Sequence, residues 1–187
     1  LNIIGENFSG KIKIINIFLK KFKGIKLDAS LLNNNYLKDI KVYQNIILED
    51  LRNETNEKLL YTLFNIIDQD NKFLIVTSSV PIVEMDFGLE DLRSRSKNFL
   101  LQNIKKPDDE LIFALLIKNF SDRQISLDKK LINFIIKRID RSYSKIFDFI
   151  YKIDEMSLKK KKSIDLKIIK EVLESNWTNI EVTIVVN

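Results

Sequence analysis

The sequence predicts an α/β fold, a parallel sheet with helices on both faces, followed by a purely helical C-terminal part. Three observations carry this. Apolar runs of buried-strand type, Ile46-Ile47-Leu48 and Phe73-Leu74-Ile75-Val76, alternate with amphipathic stretches in the N-terminal half. The first apolar run is joined to the first helix by a loop bounded by glycines, Gly5 and Gly10. Beyond Phe99-Leu100-Leu101, the pattern is helical as far as about Glu174.

Taken in order, Leu1-Asn2-Ile3-Ile4 reads as a short strand and Gly5 to Lys11 as the loop. Apolar residues then recur at Ile14, Ile15, Ile17, Phe18, Leu19 and Phe22, close to helical spacing, until Gly24 ends the helix. Gly24 to Asp28 reads as a second strand, and Ile46-Ile47-Leu48 as a third that ends in Glu49-Asp50. A helix over about Glu54 to Asp68 places Leu59, Leu60, Leu63, Phe64 and Ile67 on one face. The strand Phe73 to Val76 is closed by Thr77-Ser78-Ser79-Val80-Pro81.

In the helical part, Pro107-Asp108-Asp109-Glu110 predicts a start with proline at the first helical position and acids facing the positive helix end. Further helices are expected near 128–139, 142–157 and 165–174. Asp165 caps the last of these, with Ile168, Ile169, Val172 and Leu173 behind it. The expected organisation is an α/β domain over 1–104, a helical domain over 105–175, and a tail over 176–187. In that tail Ile180 to Val186 alternates like a strand and fits neither part.

Composition narrows the chemistry. Hydrophobic residues make up 45% of the 187 and charged residues 30%, a globular balance. There is no cysteine and no histidine. Disulfides, cysteine nucleophiles, Ser-His triads and most transition-metal sites are therefore excluded. Carboxylates, lysines, arginines, hydroxyls and backbone amides remain. The net charge of +5 is unevenly placed, with Lys11, Lys13, Lys20, Lys21, Lys23 and Lys26 set against Glu6 in residues 1–27, and a second basic run at Lys159 to Lys162. Such faces meet nucleic acid or an acidic partner, or are simply solvated. The longest apolar run, Leu111 to Ile117, is too short to span a bilayer, and no signal peptide is visible. A cytoplasmic protein with no membrane partner is the expectation.

The stretch Gly5-Glu6-Asn7-Phe8-Ser9-Gly10-Lys11 matches the G-x-x-x-x-G-K core of a phosphate-binding loop. It lies between a strand and a helix, as the chemistry requires. Glycines let backbone amides curl around phosphate oxygens, the helix start adds positive potential, and the lysine reaches the terminal phosphates. The next residue, expected to be a hydroxyl ligand of magnesium, is Ile12. An aliphatic side chain offers no oxygen to a hard cation. Nucleotide, ADP or ATP, is expected to bind through the amides and Lys11, with magnesium weakened.

Glu49 and Asp50, at the end of an apolar strand, fit the second nucleotide motif. One carboxylate supports magnesium through water and the other polarises the attacking water. A strand-end turn carrying two solvated acids is the alternative. Ser79 sits where a polar, water-orienting residue is expected, and is equally consistent with a turn.

Taken together, these motifs and the helical part resemble the AAA+ module of the DnaA family, and in particular its short Hda-type regulators. Gly88-Leu89-Glu90-Asp91-Leu92-Arg93-Ser94-Arg95 is similar to the family's arginine-finger segment. Pro107-Asp108-Asp109, Ser121-Asp122-Arg123-Gln124 and Asp140-Arg141-Ser142-Tyr143 resemble the helical lid. The likeness runs from Leu1 to about Glu174. After that point too few residues remain for the DNA-reading helix-turn-helix domain of DnaA.

The resemblance implies that Arg95 is a finger projected into a neighbour's nucleotide site, a task suited to a planar, permanently charged, forked group. The other reading of Arg93 and Arg95 pairs them with Glu90 and Asp91 on the surface. The resemblance also implies a lid arginine that senses nucleotide near Ser144. The nearby cations are Arg141 and Lys145; Lys145 is the expected nucleotide-binding residue, turning toward a phosphate, although one helix position turns a side chain by about 100 degrees. The base-contacting segment and the clamp-binding peptide found ahead of the first strand in such proteins have no counterpart in these residues. Gln124-Ile125-Ser126-Leu127 only faintly resembles a clamp peptide and reads as loop and helix cap.

The function implied is regulation of replication initiation. The protein associates with the DNA-loaded sliding clamp (the polymerase β subunit), meets ATP-bound DnaA, and contributes Arg95 so that the partner's ATP is hydrolysed. DNA is then contacted indirectly, and a homo-oligomer is compatible with the family. Two alternatives stand beside it. One is an ATPase, initiator fragment or loader that uses Glu49 or Asp50. The other is a nucleotide-free adaptor whose basic first helix holds DNA or an acidic protein.

Overall fold

A computed structural model describes residues 1–160 and 162–181, with 175–181 as backbone alone. Contacts divide the chain into two units, Leu1–Lys105 and the residues from Lys106 onward. In the first unit, strands β1 (Asn2–Ile4), β2 (Gly24–Asp28), β3 (Asn45–Leu51), β4 (Phe73–Ser78) and β5 (Leu101–Asn103) form one sheet of order β2-β3-β4-β1-β5. Every pairing is parallel. Helices α1 (Lys11–Lys21), α2 (Asn34–Asp39), α3 (Glu57–Gln69) and α4 (Glu90–Ser96) connect the strands.

Period-two alternation sends neighbouring residues of β3 to opposite faces. Ile47 joins Ile3, Ile75 and the α1 residues Ile15, Phe18 and Leu19. Ile46 and Leu48 join Leu27, Val76 and the α3 residues Leu60, Leu63 and Phe64, with Leu92 of α4. Burial on both faces is why β3 and β4 are continuously apolar.

Several boundaries differ from the sequence expectation. Helix α3 begins at Glu57 rather than near Glu54, because Asn56 caps it by accepting the amides of Lys58 and Leu59 at 3.1 and 3.2 Å. Strand β3 extends through Glu49 and Asp50 to Leu51, so the two acids lie within the strand. The short helix α2 and the edge strand β5 were not anticipated. Asn33 starts α2 by accepting from Asn35 and Tyr36. All three residues of β5 are exposed, and only its first, Leu101, belongs to the apolar run Phe99-Leu100-Leu101.

The second unit is helical: α5 (Asp109–Asp122), α6 (Lys129–Ile136), α7 (Tyr143–Lys160) and α8 (Leu166–Glu181). Ile112, Leu116 and Phe120 pack with Ile132, Ile135, Ile146, Phe149, Ile150, Ile153, Ile169 and Val172 in one core. Asp108 caps α5, accepting the Leu111 amide at 2.8 Å, so Pro107 precedes the cap instead of opening the helix. Asp165 accepts the Ile168 amide at 2.9 Å. Ile125 and Leu127 pack against this core and Asp128 caps α6, giving that segment a structural role in the helical unit. Of the strand-like tail, Ile180 and Glu181 belong to α8, and 182–187 lie outside the described residues. Among the described residues, no helix is long and apolar enough to cross a membrane.

Asn2 ties β1 to the segment after β4. Fully buried, it donates to the Ser78 hydroxyl at 2.8 Å and the Val76 carbonyl at 3.3 Å, and accepts the Ile82 amide at 2.9 Å. Asn2→Ala strands that buried amide. The substitution is expected to cost about 1–3 kcal/mol, read as a lower denaturant midpoint with an unchanged slope.

Candidate functional site

The loop after β1 curls against the C-terminal ends of the strands. Gly5 is required by space, since a Cβ there would lie 2.6 Å from the Ser9 hydroxyl and 3.2 Å from Ile104 Cβ. Gly10 is required by conformation, since its φ of 93° is left-handed. Gly10 supplies no side-chain cap to α1, so the amides of the first turn are left to face the cleft.

That cleft, about 680 Å³, is lined by Glu6 to Lys13, Asn16, Asp28, Glu49, Asp50 and Thr77. The Lys11 ammonium folds back onto the loop, donating to the Gly5 carbonyl and, at 3.1 Å, to the Glu6 carbonyl. Burial pushes its pKa below the ordinary lysine value, while Asp50 and Glu6 pull it back up. Asp28 is held below the usual carboxylate range by hydrogen bonds from the Ser30 hydroxyl and amide.

Glu49 and Asp50 reach the cleft through a bulge. Between the pairs Leu48–Val76 and Leu51–Ser78, β3 carries one more residue than β4. Asp50 absorbs it with a φ of 55°, and its amide donates to Thr77 Oγ1 at 3.0 Å. Phe8, at φ 65°, is a second non-glycine residue of the cleft in left-handed backbone. Strain of this kind persists where the surroundings over-determine it.

Ser79 is the polar residue that the sequence pattern offers at the end of β4. The structure puts Thr77 in the cleft wall, buried, while Ser79 is exposed and outside the lining. Strand β4 continues through Thr77 to Ser78, so Ser79 lies beyond its end. Asn16 and Asp28 also line the cleft and went unnoticed.

The metal role expected of Glu49 and Asp50 meets a competing arrangement. Glu49 Oε2 pairs with Lys26 Nζ at 3.0 Å, and Asp50 Oδ2 with Arg52 Nη2 at 2.5 Å. Ile12, 61% exposed at the cleft, presents only carbon. Among the described residues, no three or more acidic side chains are grouped to hold a metal. This donor set does not fit magnesium, which demands oxygens in near-octahedral geometry.

Arg95 lies elsewhere on the first unit, on α4. Its Nε donates to Asp91 Oδ2 at 2.8 Å, Nη1 to Asp68 Oδ2 at 2.6 Å, and Nη2 to Asn65 Oδ1 at 2.7 Å. The guanidinium also lies 5.7 Å from the centre of the Tyr61 ring. The pairing with Asp91 matches the surface reading; those with Asp68 and Asn65 come from α3. Glu57 supports this helix from α3. Its two oxygens accept the amides of Gly88 and Leu89 at 2.7 and 2.9 Å, in place of a side-chain cap on α4. In the second unit, Lys145 is half-buried on α7, and Arg141 pairs with Asp109 at 2.7 Å.

Comparison with known proteins bears on this geometry. Residues 108–173 match the family model described as Hda, lid domain. The chain is 25% identical over 188 residues to the chromosomal replication initiator protein DnaA of Caldanaerobacter subterraneus subsp. tengcongensis, covering 95% of this chain. The chain is thus similar to DnaA along most of its length and carries an Hda-type lid over 108–173. It spans 41% of that relative's length. Domain III of Thermotoga maritima DnaA superposes with a TM-score of 0.71 at 16% identity, covering 94% of this chain and 83% of that one. DnaA from Aquifex aeolicus bound to AMPPCP does so with a TM-score of 0.64 at 17% identity, over 84% and 55%. These likenesses place the DnaA-like α/β unit and the Hda-type lid on one chain.

Thr77→Val keeps the shape of that wall residue but removes the acceptor for the Asp50 amide. We expect a loss of about 1–3 kcal/mol in chemical denaturation, largely recovered in Thr77→Ser.

Proposed function

We propose that this DnaA-like protein is an Hda-type regulator of replication initiation, acting on ATP-bound DnaA while associated with the DNA-loaded sliding clamp. Arg95 enters the partner's nucleotide site and stabilises charge on the phosphates as the ATP is hydrolysed. Its own cleft holds adenine nucleotide, through the loop amides and Lys11, as a structural ligand. The observation that carries the reading is the placement of Arg95: a forked cation on a short helix anchored by Glu57, in a chain that carries an Hda-type lid.

The ion pairs of Arg95 set the energetic condition. With two carboxylates beside it, the guanidinium is locally outweighed by negative charge and must exchange them for phosphate oxygens. Asp68 and Asp91 are 68% and 50% exposed. Pairs so open to solvent are worth roughly 0.2–1 kcal/mol each. A finger contributes on the order of 10³–10⁵ in rate, about 4–7 kcal/mol. Exchange is therefore affordable, and the carboxylates hold the side chain without trapping it. Clamp and DNA raise the local concentration of the two proteins without new contact energy between them.

An ATPase acting on its own nucleotide is disfavoured by Ile12 and by the cations paired with Glu49 and Asp50. The basic first helix does not by itself favour an adaptor, since its lysines also serve as a solvated face.

The deciding measurement is single-turnover hydrolysis of DnaA-bound ATP on clamp-loaded DNA. The complete chain should accelerate it, and Arg95→Ala should remove at least about 100-fold of that acceleration. No acceleration by the complete chain overturns the reading. Asp68→Asn weakens one competing pair, and should raise the acceleration at sub-saturating protein by up to about five-fold. A fall instead would mean that Asp68 positions the finger.

A further inference from the structure

We propose that the cleft takes its nucleotide without a divalent cation, the positive charge of the metal being supplied by the protein's own Lys26 and Arg52. The proposal rests on the nucleotide reading of the phosphate loop and goes beyond it in naming the form of ligand bound.

The electrostatic balance leads there. Glu6, Asp28, Glu49 and Asp50 line the cleft against Lys11 and Lys13, an excess of two negative charges before any phosphate enters. In a metal-dependent site a divalent cation offsets such an excess and bridges phosphate oxygens to the carboxylates. Here Lys26 stands on Glu49 and Arg52 on Asp50, together equal in charge to one divalent ion. The Glu49 pair matters more. The Glu49 side chain is only 15% exposed, so water screens this pair less than the open Asp50–Arg52 pair, whose side chains are 47% and 64% exposed.

Geometry agrees. Lys26 follows from register: β2 and β3 are parallel, with Lys26 opposite Ile47 and Asp28 opposite Glu49, so the lysine reaches Glu49 from the neighbouring strand. Ile12 lines the cleft where a hydroxyl would ligate the metal. The remaining Glu49 oxygen, Oε1, is buried with no hydrogen-bond partner. One oxygen of a carboxylate already paired with an ammonium is a poor seat for a cation that needs several oxygens. The loop amides, the first turn of α1 and Lys11 need no metal to hold phosphate.

The test is calorimetric titration of the complete chain with ADP, in excess magnesium and in excess EDTA. The expected result is an affinity that agrees within three-fold between the two conditions. Tightening by magnesium beyond three-fold overturns the proposal while leaving the nucleotide reading intact, and no ADP binding in either condition overturns both. Two variants keep the assignment of residues exposed to failure. Ile12→Thr restores the missing oxygen, and should make binding at least three-fold tighter in magnesium than in EDTA. Lys26→Met, checked for an unchanged melting transition, frees Glu49 and should likewise become magnesium-responsive. A Lys26→Met protein as indifferent to magnesium as the parent overturns the role given to Lys26. The regulator reading is judged separately, by the Arg95-dependent hydrolysis of DnaA-bound ATP.

Discussion

The extra residue in β3 is the constraint on which the cleft depends. A parallel strand in perfect register would send Glu49 and Asp50 to alternate faces and run on past the loop. Instead, three steps of β3 are matched to two of β4, and Asp50 takes the left-handed backbone that the surplus demands. A non-glycine residue pays for that conformation with roughly 1–2 kcal/mol of strain, offset where its amide meets the Thr77 hydroxyl. Thr77 is itself fixed by β4, whose neighbour β1 carries the phosphate loop, and Asn2 at the start of β1 bonds Ser78. Loop, acids and hydroxyl wall are thus coupled through three adjacent strands.

What this coupled site lacks is as informative as what it holds. A phosphate loop normally works with a hydroxyl and a carboxylate that share a metal. Here the position after Lys11 is aliphatic, and each strand-end acid faces a cation of the chain itself. These are the same pairing rules that hold Arg95 between Asp68 and Asp91. The difference lies in exposure and in what must displace the pair. At Glu49 the carboxylate is largely buried, with Lys26 40% exposed above it, and the competitor is a hydrated ion that releases its water reluctantly. At Arg95 the carboxylates are open to solvent and, under the proposed function, the competitor is a polyphosphate, a denser acceptor for a forked donor. One pairing is therefore durable and the other exchangeable.

Much of the fold was legible because its signals are local. Ile46 to Leu48 and Phe73 to Val76 are apolar without interruption because both faces of their strands are covered, and the glycine-bounded loop announces itself by spacing. The edge strand β5 carries no such signal, being three exposed residues whose partner is β1. Helix α2 hides in Asn33-Asn34-Asn35, where the cap and the helix start share one residue type that usually marks a turn. In the site, the loop residues and both acids could be named from sequence, but their partners could not. Lys26 reaches Glu49 only once strand register is known, and Asp68 reaches Arg95 across 27 residues. Thr77 and Ser79 both follow the apolar run Phe73 to Val76, and only the extent of β4, through Ser78, places Thr77 in the strand and Ser79 beyond it.

A chain that acts by lending an arginine has no need to turn over its own nucleotide, and its cleft can be relieved of the demands of catalysis. Hydrolysis draws on a metal that neutralises charge on the phosphates and a carboxylate free to polarise water; a structural nucleotide requires only that the phosphates be held. Replacing the hydroxyl by Ile12 and tying Glu49 to Lys26 gives up the first while keeping the second, because the loop amides and Lys11 are untouched by either change. Under the proposed function, catalytic power is moved from the cleft to α4. What the cleft retains is the task of ordering the loop between β1 and α1, where Phe8 is a non-glycine residue held in left-handed backbone.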